Sequence, residues 1–265
     1  MLILPIYDDN PTRRLAVVTI AIIGLCVAIS IWQFTLSPRD EIRAALSYGL
    51  IPAVLFHVAS LPPELEQVPG WMTPVTSMFL HGGFWHLAGN MLFLWVFGNN
   101  VEDSMGRIRF IAFYLVCGVA AALAQAFANP LSEVPMMGAS GAIGGVLGAY
   151  LMLHPRANVG VFVWIIIFFR VFRIPAVLVL GAWLAVQIYS GMTTPLDDSD
   201  GGVAFWAHVG GFLAGALLIP VLKRPDIPLF DAAHSRPFSV VPLEQSIPGR
   251  LGRLPDAGHR NRPFP

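Results

Sequence analysis

The chain has 265 residues, of which 55% are hydrophobic and only 12% charged, and its mean hydropathy is positive. That balance excludes an ordinary soluble domain and predicts a multi-span membrane protein. The 16 Lys and Arg match the 16 Asp and Glu, so the net charge of zero offers nothing to a nucleic acid, and Cys26 and Cys117, each inside an apolar run, spell neither a disulfide framework nor a metal motif.

In chain order, a short polar head, residues 1–14, ends at Arg13-Arg14 and is followed by an apolar run from Leu15 to about Leu36. That run is long enough to cross a hydrocarbon core of ~30 Å and lacks the cleavage signal of a secretory leader, so it reads as a retained span. The connection from Ser37 to Gly83 mixes charges, prolines and the apolar patch Leu50–Val58, the character of a loop partly lying in the membrane interface. Further apolar runs lie at about Phe84–Val101, Phe110–Ala128, Gly138–Leu153, Ile174–Ser190 and Val203–Leu222. An all-α bundle of six transmembrane helices over residues 15–222 is therefore expected. The run Val161–Phe169 is too short to span as a helix, and its β-branched and aromatic residues predict an extended or interfacial segment. From Lys223 to Pro265 the chain is rich in proline and polar residues, which predicts a disordered tail.

Charge sets the expected orientation. With the N-terminus inside, only Arg39 and Arg43 of the 16 Lys and Arg fall outside, while Asp197, Asp198 and Asp200 occupy an outer loop. Both termini are then cytoplasmic. Ser140, His86, Asn90 and His208 all come to the outer ends of their spans.

The central stretch is Gly138-Ala139-Ser140-Gly141-Ala142-Ile143-Gly144-Gly145-Val146-Leu147-Gly148, a serine at the mouth of an apolar helix with glycines four apart. At a helix N-terminus the free N–H groups and the positive end of the dipole can stabilise an oxyanion at that serine. The plainer reading is a close-packed glycine helix with an incidental serine cap. Polar side chains in other spans bear on the choice, since each is costly in a membrane. His86 and Asn90 share one face of the second span, where they could also form only interhelical hydrogen bonds. His208 interrupts the sixth span and shares a face with Gly211 and Gly215. A glycine seam there, against the glycines of the fourth span, would let Ser140 and His208 meet, and a serine with a histidine base is the minimum for acyl transfer. The fourth span, Gly138–Leu153, rises only about 24 Å, so its start is expected below the outer surface, in a cavity that admits water.

These residues resemble the rhomboid family of intramembrane serine proteases over about Gly70 to Leu222. The block from His81 through His86 to Asn90 is similar to the family's H-x-x-x-N region, Gly138-Ala139-Ser140-Gly141 to its G-x-S-G motif, and Ala207-His208-Val209-Gly210-Gly211-Phe212 to its sixth-span histidine motif. The resemblance implies a Ser140–His208 catalytic dyad with no third, acidic member, in keeping with the absence of carboxylates from the second, fourth and sixth apolar runs. It also implies oxyanion stabilisation by His86, Asn90 and the Ser140 N–H. Structural support is expected from His81, Trp71, Gly138, Gly141, Gly211 and Gly215. Many members have Trp-Arg where this chain has Trp71-Met72, which leaves that arginine's anchoring role unfilled.

The expected activity is serine endopeptidase cleavage at the outer end of a substrate transmembrane segment, in a multi-pass protein of a prokaryotic cytoplasmic membrane. Single-span membrane proteins are the expected substrates and the lipid bilayer a partner, with no cofactor, no metal and no nucleic acid. Nothing in the sequence points to an oligomeric state. Two other classes remain. A non-catalytic rhomboid-like binding or quality-control protein would be expected to lack Ser140 or His208. A metal enzyme using His81, His86 and His208 is disfavoured, because His81 and His86 are five apart rather than four and no carboxylate or cysteine lies nearby.

Overall fold

The computed structural model of the chain describes residues 2–165, 168–194, 203–232, 237–238 and 240–241. The acidic loop residues Asp197, Asp198 and Asp200, and the chain beyond residue 241, lie outside the described residues.

The architecture is a helical bundle with a small sheet at one end. Strand β1 (Leu2–Asp8) leads into α1 (Val17–Thr35). The first loop then folds as α2 (Pro38–Tyr48), α3 (Pro52–Leu55) and α4 (Thr73–Thr76), with 3-10 turns at Gly70–Met72 and Ser77–Phe79. The bundle continues with α5 (Phe84–Met105), α6 (Arg107–Ala128) and α7 (Ser140–Leu153). A hairpin, β2 (Asn158–Ile165) and β3 (Phe168–Pro175), precedes α8 (Ala176–Thr193), α9 (Phe205–Leu222) and the two-residue strand β4 (Val240–Val241).

Among the described residues, α1, α6, α8 and α9 are long and apolar enough to cross a membrane, and α7 is a shorter apolar helix. At 14 residues α7 rises about 21 Å. It is the buried centre of the bundle, with ten consecutive residues from Gly141 to Tyr150 buried. Its main neighbours are α9 and α6.

The glycines explain how α7 can be so enclosed. They form two registers that serve two neighbours. A Cβ on Gly141 would meet Ala121 at 2.6 Å, and one on Gly145 would meet Cys117 at 2.5 Å, both on α6. A Cβ on Gly144 would instead meet the His208 carbonyl oxygen at 2.9 Å, and one on Gly148 would overlap the Phe212 carbonyl oxygen, both on α9. In return, α9 offers Gly211 and Gly215, which lie against the carbonyl oxygens of Gly141 and Gly145. Small residues on both sides allow backbone to touch backbone, the packing that a bilayer favours.

Polar contacts lock the remaining elements. Glu102, buried near the end of α5, accepts from the Val18 and Thr19 N–H groups at 3.1 and 2.8 Å and from the Thr19 hydroxyl at 2.8 Å. It thereby caps α1, whose own Ala16 supplies no side-chain cap; a carboxylate suits the positive end of a helix. The second span expected to end at Val101 therefore runs on as helix to Met105 and includes carboxylates at the end far from His86. The first loop is pinned to the segment entering α7. Leu50 and Met136 exchange backbone hydrogen bonds at 2.9 and 2.7 Å, and the Gly138 N–H donates to the Ser77 carbonyl at 2.9 Å.

The described parts of the run Val161–Phe169, namely Val161–Ile165 and Phe168–Phe169, are extended, as the composition predicts, and pair within an antiparallel sheet in the order β1-β2-β3-β4. Part of the polar head, Leu2–Asp8, joins this sheet as β1. Leu4 pairs with Phe162 and Pro5 with Val161, placing β1 as the edge strand, where a proline without an N–H is tolerated. The expectation of a disordered tail is corrected for its first residues, 223–232. The Arg224 N–H donates to the Ser104 carbonyl at 2.8 Å, and those of Phe230 and Asp231 to Met152 and Leu153 at 2.9 and 2.8 Å. These donors satisfy carbonyls at helix ends that have no partner within their own helix.

Candidate active site

Ser140 is the first residue of α7 and His208 lies in the first turn of α9, so both sit at N-terminal ends, at the opposite end of α7 from the sheet. Gly138 makes the turn into α7 possible. Its φ is +133°, a region that side chains rarely adopt, and a Cβ there would meet His86 Cε1 at 2.8 Å. At its own N-terminus α9 has no capping side chain. Gln125 on α6 fills that role, its Oε1 accepting from the Trp206 and Ala207 N–H groups at 3.1 and 3.3 Å.

Ser140 Oγ lies 2.8 Å from His208 Nε2. The other ring nitrogen, Nδ1, lies 2.7 Å from Gln187 Oε1 on α8. Trp183, one turn earlier on α8, packs against the same imidazole with ring centroids 5.7 Å apart. Hydroxyl, imidazole and amide thus form one chain of hydrogen bonds.

The pair opens onto a cavity of about 770 Å³ also lined by His86, Asn90, Gln125 and Trp206. The His86 ring stands against Gly138, two residues before Ser140. Asn90 is buried, 7% exposed, and its Nδ2 amide has no partner within the described structure. That amide is an unpaired buried donor among residues that line the same cavity as Ser140. The N–H groups of Ser140, Gly141 and Ala142, the first three residues of α7, have no intrahelical acceptor.

The remaining sequence-predicted residues divide. His81 is fully buried and ties the first loop to α1: its N–H donates to Gln33 Oε1 at 3.0 Å, its carbonyl accepts from Gln33 Nε2 at 3.3 Å, and its Nδ1 lies 3.3 Å from Ser30 Oγ. Gly141, Gly211 and Gly215 stand at backbone-to-backbone contacts beneath the pair. Trp71 is different. It sits in the Gly70–Met72 turn with 74% of its surface exposed, so its ring is outside the packed site. Among the described residues no three His, Cys, Asp or Glu side chains converge as a metal ligand set.

Gln125, Trp183 and Gln187 escaped the sequence reading. Each of the glutamines is a polar residue within an apolar run, the same signal that singles out His86, Asn90 and His208.

Long apolar helices packed through glycines, with a serine hydroxyl bonded to an imidazole in a cavity near one end, define an integral membrane protein with a paired serine and histidine. Residues 68–225 match the rhomboid domain, and the chain belongs to the rhomboid family. It is 32% identical over 164 residues to the mitochondrial Rhomboid protein 1 of Saccharomyces cerevisiae, covering 58% of this chain and 42% of that protein. It is 31% identical over 163 residues to RHOMBOID-like protein 5 of Arabidopsis thaliana, covering 61% and 47%. To the Rhomboid protease GluP of Bacillus subtilis it is 32% identical over 162 residues, covering 60% and 28%. The matched stretch spans less than half the length of each of these relatives.

Proposed function

We propose that the chain is an intramembrane serine endopeptidase that cuts substrate transmembrane segments near their outer ends. The observation that carries this reading is the 2.8 Å contact between Ser140 Oγ and His208 Nε2 inside a cavity. In this reading α5 and α7 also cross the membrane, giving six spans with both termini cytoplasmic, in keeping with the arginine distribution and with a prokaryotic cytoplasmic membrane.

The reaction runs as acyl transfer. Ser140 Oγ attacks a peptide carbonyl while His208 Nε2 takes its proton. The resulting oxyanion is met by the Asn90 amide, His86 and the Ser140 N–H; each such donor is worth roughly 3–4 kcal/mol in a site shielded from water. Collapse of the tetrahedral species breaks the C–N bond, and His208 gives the proton to the leaving amine. Water entering the cavity then attacks the acyl-enzyme, losing a proton to His208; the second tetrahedral species breaks the ester bond to Ser140, whose Oγ takes that proton back from His208 as the carboxyl product leaves. A substrate helix must first release the carbonyl from its own hydrogen bond, so segments weakened by glycine or proline are preferred.

Purified full-length protein, reconstituted in lipid with a panel of single-span membrane proteins, tests this reading beside Ser140→Ala. Cleavage by the wild type alone supports it. Equal cleavage by both ends it, and cleavage of no substrate together with no reaction with a fluorophosphonate favours a non-catalytic rhomboid-like protein.

A further inference from the structure

A neutral imidazole carries one proton on two nitrogens, and only the bare nitrogen can act as a base. In His208 the nitrogen facing Ser140 is Nε2, at 2.8 Å. It can accept the serine proton only when the ring proton sits on Nδ1. Nδ1 lies 2.7 Å from Gln187 Oε1, and that carbonyl oxygen can only accept.

Gln187 has no evident reason to occur where it does except this contact. It is buried, 8% exposed, on a helix otherwise made almost wholly of apolar residues. A buried amide in such surroundings costs free energy unless it is hydrogen-bonded. Trp183, four residues earlier on the same helical face, holds the imidazole by ring contact. One face of α8 therefore grips His208 in two ways, by an edge hydrogen bond and by an aromatic neighbour.

We propose that Gln187 is a positioning residue: its amide oxygen holds His208 in the Nδ1–H tautomer, which leaves Nε2 free to take the proton of Ser140. Through the cycle Gln187 neither gains nor loses a proton. When Nε2 takes the serine proton the ring becomes an imidazolium whose Nδ1–H still donates to Gln187, and Nε2–H then passes to the leaving amine. A carboxylate at this place would add negative charge beside the imidazolium; the amide supplies orientation without charge. The kinetic consequence rests on the protease reading above, whereas the tautomer assignment rests on geometry alone.

The test uses full-length protein labelled with ¹⁵N-histidine in lipid, with the His208 resonances identified by their loss in His208→Ala. Gln187→Met keeps the length and apolar bulk of the side chain but removes the acceptor, and Gln187→Glu restores an oxygen. Wild type is expected to show His208 protonated at Nδ1 and bare at Nε2, Gln187→Met a mixture of tautomers, and Gln187→Glu the wild-type pattern. In cleavage assays Gln187→Met should lower kcat by roughly 10- to 100-fold, the fold-change of one lost buried hydrogen bond, with KM within about twofold. Gln187→Glu should recover most of that loss. Protonation at Nε2 in the wild type overturns the proposal without any variant. So does an unchanged Nδ1–H tautomer in Gln187→Met, or a kcat loss that Gln187→Glu does not repair. The expected tautomers in a protein that neither cleaves substrates nor reacts with a fluorophosphonate would uphold the role of Gln187 and remove the protease reading.

Discussion

Ser140 Oγ and His208 Nε2 lie 2.8 Å apart although 68 residues separate them in the chain. Each sits in the first turn of its helix, and α7 and α9 are brought to backbone contact by glycines just beyond. Two groups that must act together lose function together. Ser140→Ala and His208→Ala are each expected to lower kcat on the order of 10⁴-fold or more, and the double variant to be no worse than either single one. Covalent labelling by a fluorophosphonate should require both residues. A double variant whose defect is the product of the two single defects would show that the pair does not work as a unit.

Asn90 carries a second expectation. Its Nδ2 donor is buried and unpaired among the described residues, beside the cavity that Ser140 and His208 also line. A donor left without a partner in the resting protein is available to charge that develops only in the transition state. Asn90→Ala should lower kcat about 10²- to 10³-fold with little change in KM. It should leave thermal stability nearly unchanged, because no hydrogen bond of the resting protein is lost. Activity within twofold of wild type would remove Asn90 from the proposed oxyanion site.

Asp8 ties β1 to the bundle at the other end of α7, through acceptance by Oδ2 of the Tyr150 hydroxyl at 2.7 Å and the Asn100 amide at 2.8 Å. Burial pushes its carboxyl from 3.8 up to about 7; neighbouring Asp9 adds to the rise and the Tyr150 hydrogen bond opposes it. Between those two values the folded protein holds a proton that the unfolded chain has released, so stability falls as pH rises from about 4 to about 7. The strand should therefore dock more firmly at pH 5 than at pH 8. Backbone amide exchange in β1, corrected for intrinsic rates, would show it as greater protection at the lower pH. Asp8→Asn should flatten the difference, and a pH dependence that survives this change would assign it to another group.

The same strand marks where sequence ran out. Apolar runs located the long helices because a lipid-facing or buried helix must be continuous in apolar side chains, and Phe84, Ala128, Leu153 and Leu222 are helix ends in both readings. Ser140 and His208 were legible because polar groups in such runs stand out. The head residues Leu2–Asp8 carry no comparable signal. Their pairing with β2, Leu4 against Phe162, is a long-range contact that no local period announces. Glu102 and Asp103 read as the boundary of a span, yet Glu102 is buried because α1 needs a cap. Gln187 is a single polar residue in an apolar run, and its meaning appears only when α8 is seen to lie against His208.

The glycine seam gives the last prediction, and it separates packing from chemistry. A Cβ on Gly211 would overlap the carbonyl oxygen of Gly141, and one on Gly215 that of Gly145, backbone atoms that cannot swing aside as a flexible side chain would. Valine at either position must push α9 away from α7. Overpacking a tight core costs typically 1–3 kcal/mol, and rigid backbone neighbours place these sites toward the upper end. A shift of about 1 Å between reacting groups can also cost on the order of 100-fold in rate. Gly181, on α8, is the control, because a Cβ there meets nothing within 4 Å. Gly181→Val should leave cleavage near wild type and should not lower the melting temperature by steric strain. Gly211→Val and Gly215→Val should lower both. Loss of stability with full activity would mean that the Ser140–His208 distance is set elsewhere, for instance by the Gln125 cap on α9. Unchanged stability and activity together would mean that α7 and α9 do not meet through these glycines, and the geometry on which the proposed dyad stands would fall with them.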